Sequence, residues 1–509
     1  MAFLLENVVV RDITRFPDKG LVGRRKIKTN LNEITQENVK KFLSDTLAIH
    51  MANAIEIKYL WDFYRGRQDI QFKEKITREN INNKVTVNRA NEIVTFKTAY
   101  LLNEPIQYVS AEKGDKKSDE IAKLNEYMRA EDKDSADKEI VDWMHICGVA
   151  ERLVLPDDAT DDVYGAPYKI YTLDPRDAYV VYSSRIGERR MAGVIIQQDE
   201  KGENVYTVYT DNQCFKVSKD SVEVAPHILG GIPLIEYINN AARMGAFEGV
   251  ISILNNINML ESNAVDSVQD FVNGFDVFQN CDIADGEYQQ LALGGKAVRI
   301  KTVTQGMEAK VYRVASELSQ SGVQQRVDDL TESYLTICGM PNRNGGSSTS
   351  DTGQAVIFRD GWSEAESRAK DTEKLFKRSE RQFLRIVLQI LDAKAKLNVE
   401  LKDIDIDFAR KSLNNLQSKF QCLCEGLAND SIHPKDMFNA FGDIFGDKTA
   451  AYMRGMQWRD EQKREHEETL QKELDRERER LDAETENAKP VPNSGSGDQA
   501  TESGDGESR

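Results

Sequence analysis

The stretch AFEGVISILNNINMLESNAVDSVQDFVNG, residues 246–274, decides how the chain is organised. Phe247, Val250, Leu254, Ile257, Ala264, Val268 and Phe271 mark one stripe, while Asn255, Asn258, Ser262, Asp266 and Gln269 occupy the rest of the surface. That spacing predicts an amphipathic helix, about 40 Å long at 1.5 Å per residue, broken at Asn273-Gly274. Beyond the Gly294-Gly295 turn, Val298–Val303 alternates as a strand, with Lys310–Val314 as its expected partner. Val323, Val327, Leu330, Tyr334 and Ile337 then resume helical spacing. The order is helix, small β-containing insert, helix.

Toward the N-terminus, helices are predicted from Thr35 to about His50, from Ala52 to Tyr64 with a stop at Gly66, over Val87–Asn103, and over Asp134–Cys147 ending at Gly148. Between 168 and 226 the period changes. Five short β-branched or aromatic runs, starting at Tyr168, Ala178, Ala192, Val205 and Gln213, are separated by Asp-Pro, Ile-Gly-Glu, Lys-Gly-Glu and Asp-Asn turn signals, which predicts an antiparallel meander. Toward the C-terminus, residues 340–353 read as a loop rich in glycine and hydroxyls. A helix of about forty residues follows, through Phe358, Trp362, Phe376, Phe383, Val387 and Ile390. Residues 401–408 alternate like a strand, short helices are expected over 413–452, and Leu470, Leu474 and Leu481 suggest a short charged helix. The fold class expected is α+β, mainly helical.

The chain has 509 residues with 68 Lys and Arg against 85 Asp and Glu, a formal charge of −17. Residues 459–509 hold 9 basic and 16 acidic residues, and the Gly/Ser/Asp/Glu run after Pro490 is expected to be disordered. An acidic balance argues against gripping nucleic acid over the whole surface, which needs a dense cationic footprint. The six cysteines are scattered, with neither a disulfide framework nor a zinc spacing. The N-terminus lacks a basic region ahead of an apolar core, and no run approaches 18 apolar residues. A reducing compartment and no membrane partner are the expectation.

Chemistry-bearing motifs are sparse. There is no phosphate-cradling Gly-x-x-x-x-Gly-Lys-Ser/Thr, no His-Glu-x-x-His and no Gly-x-Ser-x-Gly, and the five histidines are unclustered. The one enzyme-like pattern is Asp403-x-Asp405-x-Asp407, three carboxylates on one face of a strand, which suits a divalent cation in a nucleic-acid-processing enzyme. The same alternation is also the solvated face of a strand whose other face is Ile404, Ile406 and Phe408. No cofactor or metal is expected. Arg343 is the one cation of the 340–353 loop, and Arg299, Lys301, Lys310 and Arg313 concentrate positive charge on the insert.

Several blocks together carry a resemblance. Trp61-Asp-Phe-Tyr-Arg-Gly-Arg-Gln-Asp-Ile70, Asn82–Asn88 leading into Ile93–Tyr108, Leu173-Asp-Pro-Arg-Asp-Ala178, Gly231–Asn240 and Gly245–Asn258 resemble, in this order, the portal proteins of long-tailed phages of Gram-positive hosts. The resemblance implies a non-enzymatic ring, usually of twelve subunits, at one capsid vertex. Double-stranded DNA would pass through it, and it would dock terminase and later a head–tail adaptor, among the major capsid and scaffolding proteins. Mapped onto this chain it implies a wing part over 1–245 that includes the meander at 168–226, stem helices at 246–272 and 319–339, and a clip at 273–318. A tunnel loop would span 340–353, a long wing helix 354–399, a crown 400–470 and a charged tail 471–509. Met340, Pro341, Asn342, Arg343, Asn344, Gly345, Gly346 and Ser347 would then approach the DNA. Asn255, Asn258, Ser262 and Asp266 would face the channel, and Arg299, Lys301, Lys310 and Arg313 would form the docking surface.

Overall fold

A computed structural model describes residues 23–76, 79–111, 117–157, 165–272, 275–282, 301–303, 306, 308, 310–314, 320–342, 361–408, 423–425 and 448–487. The chain divides into two units, 1–432 and 433–509.

In the first unit β1 (Ile27–Thr29) precedes α1 (Val39–Tyr64), a single helix where the sequence suggests two. His50, Met51 and Ala52 at the expected junction contain no breaker, so the helix runs on until Gly66, whose φ is +91°. Next come α2 (Arg89–Leu101), capped by Asn88 whose Oδ1 accepts from the Asn91 amide, then β2 (Gln107–Ser110), α3 (Ser118–Ala130) and α4 (Lys133–Cys147). β3 (Val149–Pro156), β4 (Tyr168–Leu173), β5 (Ala178–Ser183), β6 (Arg190–Gln198), β7 (Asn204–Tyr209), β8 (Gln213–Val217), β9 (Val222–Pro226) and β10 (Leu234–Ile238) follow.

These strands form two sheets, which corrects the single meander. β5 to β9 pair sequentially and antiparallel, with β1 added parallel to β5. The 168–173 run leaves that sheet and pairs with β3 in the order β10-β3-β4. β3 shows no alternation in the sequence because its first six residues are all buried, as in a strand covered on both faces. Phe42, Leu43 and Leu47 of α1 cover the larger sheet against Val181, Val194, Val208 and Phe215. The sheets meet where β6 has Gly193. A Cβ there would lie 2.6 Å from Cβ of Leu234.

α5 (Ile251–Val272), preceded by a 3-10 turn at Glu248–Val250, leads to β11 (Phe275–Gln279) and β12 (Cys281–Asp282). The return is β13 (Lys301–Thr302), β14 (Lys310–Val314) and α6 (Gln320–Cys338). The expected pairing of the 298–303 run with 310–314 is replaced: β14 pairs with β11, and β13 with β12. α7 (Trp362–Ala395) crosses the smaller sheet, and β15 (Ile404–Asp407) pairs antiparallel with β2. The second unit contains α8 (Lys448–Asn487), one helix of 40 residues rather than a short one. Its Glu, Lys and Arg are strong helix formers and provide opposite charges at four-residue spacing, for example Asp460 with Arg464 and Glu468 with Lys472.

A charged knot joins α7 to the smaller sheet. Glu380 is wholly buried and accepts from Tyr108 Oη at 2.5 Å and Tyr237 Oη at 2.6 Å. Lys133 Nζ lies 2.9 Å from one of its oxygens and Arg152 Nη1 3.6 Å from the other. Asp137 completes the knot at 2.5 Å from Lys133 and 2.6 Å from Arg152. Burial works to raise the Glu380 carboxyl, but Lys133 and Arg152, with the two phenols, outweigh it and hold the group below the ordinary carboxylate range. Glu380→Ala leaves Lys133 and Arg152 to share Asp137, with one buried positive charge uncompensated, and should cost about 3–5 kcal/mol in urea unfolding. Because the folded value is lowered, the carboxyl's contribution to stability is complete above the unfolded pKa of about 4.3 and lost as pH falls below it. The penalty of Glu380→Gln should therefore shrink toward pH 3.

Candidate functional site

The element that stands out is the helical hairpin of α5 and α6 with its β-ribbon. Cys338 Sγ, at the C-terminal end of α6, lies 3.6 Å from the Ala246 carbonyl just before α5, so the two helices run antiparallel. Leu254 and Ile257 of α5 and Val327, Tyr334 and Leu335 of α6 share a core with Leu60 and Phe63 of α1 and Ile93 and Val94 of α2.

The middle of the polar stripe of α5 does not face solvent. Asn258 and Ser262 are 0 % exposed and Asp266 is 2 %. Residues 68–76 and 79–88 lie along α5 as a strap, and alternate amides of its second part meet every fourth helix position. Asn83 N donates to Asp266 Oδ1 at 2.7 Å, Val85 N to Ser262 Oγ at 2.9 Å, and Val87 N to Asn258 Oδ1 at 2.8 Å. Two extended residues advance about 6.6 Å and four helical residues about 6.0 Å, so the two ladders stay in step for three rungs. Asn255 Nδ2 donates to Asp69 and Asn258 Nδ2 to Gln68, and Lys73 and Lys75 both reach Asp266. The channel-facing expectation for Asn258, Ser262 and Asp266 is therefore corrected: the subunit itself buries them. Asn255 is half-buried and tied to Asp69. Lys73, Lys75 and Asn83 were missed in the sequence; the alternation Asn83-x-Val85-x-Val87 against four-residue steps on the helix is a signal for Asn83, and nothing local marks the two lysines.

On its open side α5 exposes Met259, Val265 and Val268, each about 40 %, and α6 exposes Ile337 at 51 %. Met340 and Pro341 are buried and Asn342 is half-buried. Arg343, Asn344, Gly345, Gly346 and Ser347 lie outside the described residues. Of the four insert cations, Lys310 is exposed and 3.8 Å from Glu308. Lys301 stands opposite Asp282 and Arg313 opposite Asp276 in the strand register, while Arg299 is outside the described residues.

The Asp403, Asp405 and Asp407 trio does not converge. Asp403 belongs to a 3-10 turn (Leu401–Asp403) ahead of β15, where its carboxylate accepts from Lys117 at 2.7 Å and from the Glu400 amide at 2.9 Å. Asp405 is exposed on the strand. Among the described residues no group of three or more His, Cys, Asp or Glu is placed to hold a metal ion. His50 and His145 are pushed down to about 4 and about 3 by burial, so both rings are neutral at physiological pH. No described helix is long and apolar enough to cross a membrane.

Asp266 sets the strap's response to acid. Burial works to raise its carboxyl, but hydrogen bonds from Lys73, Lys75 and Asn83 prevail and hold it well below the ordinary range. The stabilisation is complete above the unfolded pKa of about 3.9 and lost as pH falls through the lower folded value. Asp266→Ala should cost about 3 kcal/mol. It should also open the strap, read as faster tryptic cleavage at Lys73 and Lys75 and lost hydrogen-exchange protection at Asn83, Val85 and Val87. Unchanged protection at those three amides would refute the ladder.

One family matches the sequence, described as "Phage portal protein, SPP1 Gp6-like", over residues 43–437. The match spans the two sheets apart from β1, the strap, the helical hairpin with its ribbon, α7 and β15. No curated protein matches the chain significantly. With well over half of its length matched, the chain belongs to this phage portal family, a family of structural rather than enzymatic proteins.

Proposed function

We propose that the chain is the repeating subunit of a ring, of twelve copies, at one capsid vertex of a long-tailed phage of a Gram-positive host. Double-stranded DNA passes through the ring inward during packaging and outward during ejection. The observation that carries this reading is the family match over residues 43–437. The helix–ribbon–helix unit suits the stem (246–272 and 319–339) and the clip (273–318). The ribbon, with Lys301, Lys310 and Arg313, is then the surface offered to terminase and afterwards to the head–tail adaptor. Residues 1–245 and 354–399 form the wing toward the major capsid and scaffolding proteins, residues 340–353 the tunnel loop with Arg343, and 400–470 the crown before the charged tail at 471–509.

Two physical features support it. The open faces of α5 and α6 leave Met259, Val265, Val268 and Ile337 exposed, apolar surface of the kind that contact with another subunit covers. The formal charge of −17 per chain suits a wall along which a polyanion moves: each fixed cation on a phosphate adds affinity and salt dependence, and so friction.

Negative-stain images of the purified chain should show rings with a central hole, and native mass spectrometry should give a mass near twelve times 57.7 kDa. A monomer that persists at high concentration would sink the proposal. Duplex affinity of the ring should be weak, with a shallow dependence on salt. Val265→Asp combined with Val268→Asp should leave the subunit folded by circular dichroism but reduce the ring fraction at least about ten-fold, since each desolvated charge costs more than the 1.4 kcal/mol that corresponds to a decade.

A further inference from the structure

Away from the strap, a cavity of about 430 Å³ lies between α2, α4, the 239–246 turn, the end of α6 and α7, and shares Ile337 with the open face of α6. Its volume is within the range of organic-ligand sites, roughly 300–1,000 Å³. One wall is apolar: Phe96, Tyr100, Leu101 and Leu375 line it, and the first two rings stack with centroids 5.7 Å apart. Opposing chemistry comes from Lys97 and Arg368.

The two cations are held differently. Arg368 is fixed, its Nε donating to Glu364 at 2.8 Å and its Nη1 to the Ile337 carbonyl at 2.8 Å. Gly339, at φ +63°, gives it room, since a Cβ there would stand 2.4 Å from Arg368 Cδ. Lys97 is half-buried, and among the described residues it donates no hydrogen bond and forms no ion pair. Burial lowers its pKa and Arg368 adds to that, while Cys338 and Glu364 act the other way. Neither of these neutralises it: Glu364 is engaged by Arg368, and burial pushes the Cys338 thiol up to about 11, leaving it uncharged at neutral pH. Asp371, also in the lining, pairs with Lys374 at 2.8 Å. An ammonium partly withdrawn from water without a counter-charge carries part of the desolvation cost of a buried charge, and an anion in the cavity offsets it.

We propose that this cavity binds a small organic anion of the mononucleotide class, its anionic group on Lys97 beside Arg368 and its flat apolar body against Phe96 and Tyr100. The site is inferred from a single chain, without recourse to ring formation, and the test separates the two. Adenosine 5′-monophosphate is the probe, compared with inorganic phosphate and a short DNA duplex, by calorimetric titration and thermal unfolding of the full chain. The nucleotide should raise the melting temperature saturably and bind at least about ten-fold more tightly than phosphate. Lys97→Met should abolish the effect, melt no lower than wild type without ligand, and still form rings on the grid. Lys97→Arg should retain binding.

Nucleotide binding unchanged in Lys97→Met, or absent in the wild type, overturns the site. Equal affinity for phosphate overturns the role of the apolar wall, and duplex binding lost in Lys97→Met overturns the small-ligand assignment. If Lys97→Met does not fold, acylation of Lys97 by an amine-reactive ester, mapped by peptide mass spectrometry, reads the same contact in the wild type. The nucleotide should slow it about ten-fold, and no protection overturns the proposal.

Discussion

The structure depends on one buried carboxylate. Glu380 is the point at which β2, α4, β3, β10 and α7 are tied together, through Tyr108, Lys133, Arg152 and Tyr237. Two acids and two bases make the knot neutral, and the phenols supply donors that the cations leave unfilled. Such a cluster gives little net stability over a well-packed apolar core, because desolvation consumes most of the Coulombic gain. Its effect is on register: sliding α7 by one residue rotates Glu380 about 100° away from all four partners, taking the acceptor from both phenols and leaving Lys133 and Arg152 to share Asp137. The long helix is thereby locked at one position over the sheet, with Phe376 and Phe383 beside the knot in the same core.

From that fixed position α7 determines what happens at its N-terminal end. Arg368 lies three turns upstream of Glu380 and binds the last carbonyls of α6 through Ile337. The Gly339 turn follows, and Cys338 Sγ approaches the Ala246 carbonyl. The attitude of the helical hairpin thus rests on the same helix that crosses the sheet. At the other face of α5, the strap uses side chains as one ladder and its own amides as the other, a substitute for sheet pairing that leaves Asn83, Val85 and Val87 satisfied.

Much of this was legible because local chemistry and fold agree. The three-four periodicity of 246–272, the glycine after Cys147 and the Asn88 cap each announce an element whose determinants lie within a few residues. What escaped is long-range. β15 finds β2 across about three hundred residues of chain, and β3 is masked by burial on both faces. The 168–173 run looks like its meander neighbours, and only its pairing with β3 assigns it to another sheet. The three aspartates at 403, 405 and 407 show the limit of spacing arguments: a 3-10 turn rotates Asp403 away to cap its own backbone and meet Lys117. Reading Asn258, Ser262 and Asp266 as solvent-facing failed for a related reason. Polarity predicts water only when no other backbone needs hydrogen bonds.

The distal half of α5 therefore inverts the usual rule for a surface helix. Ser262 and Asp266 are buried in the subunit while Val265 and Val268 are about 40 % exposed. In an isolated chain this arrangement gains nothing: two branched apolar side chains stay in water, and two polar ones are desolvated and must be repaid by exact hydrogen bonding. It becomes favourable when the outer face is covered as well, because the valines then bury at roughly 25 cal/mol per Å² while the inner ladder is already satisfied. The inversion is thus physical grounds, independent of any family relationship, for reading the hairpin as an element that meets other copies of the chain.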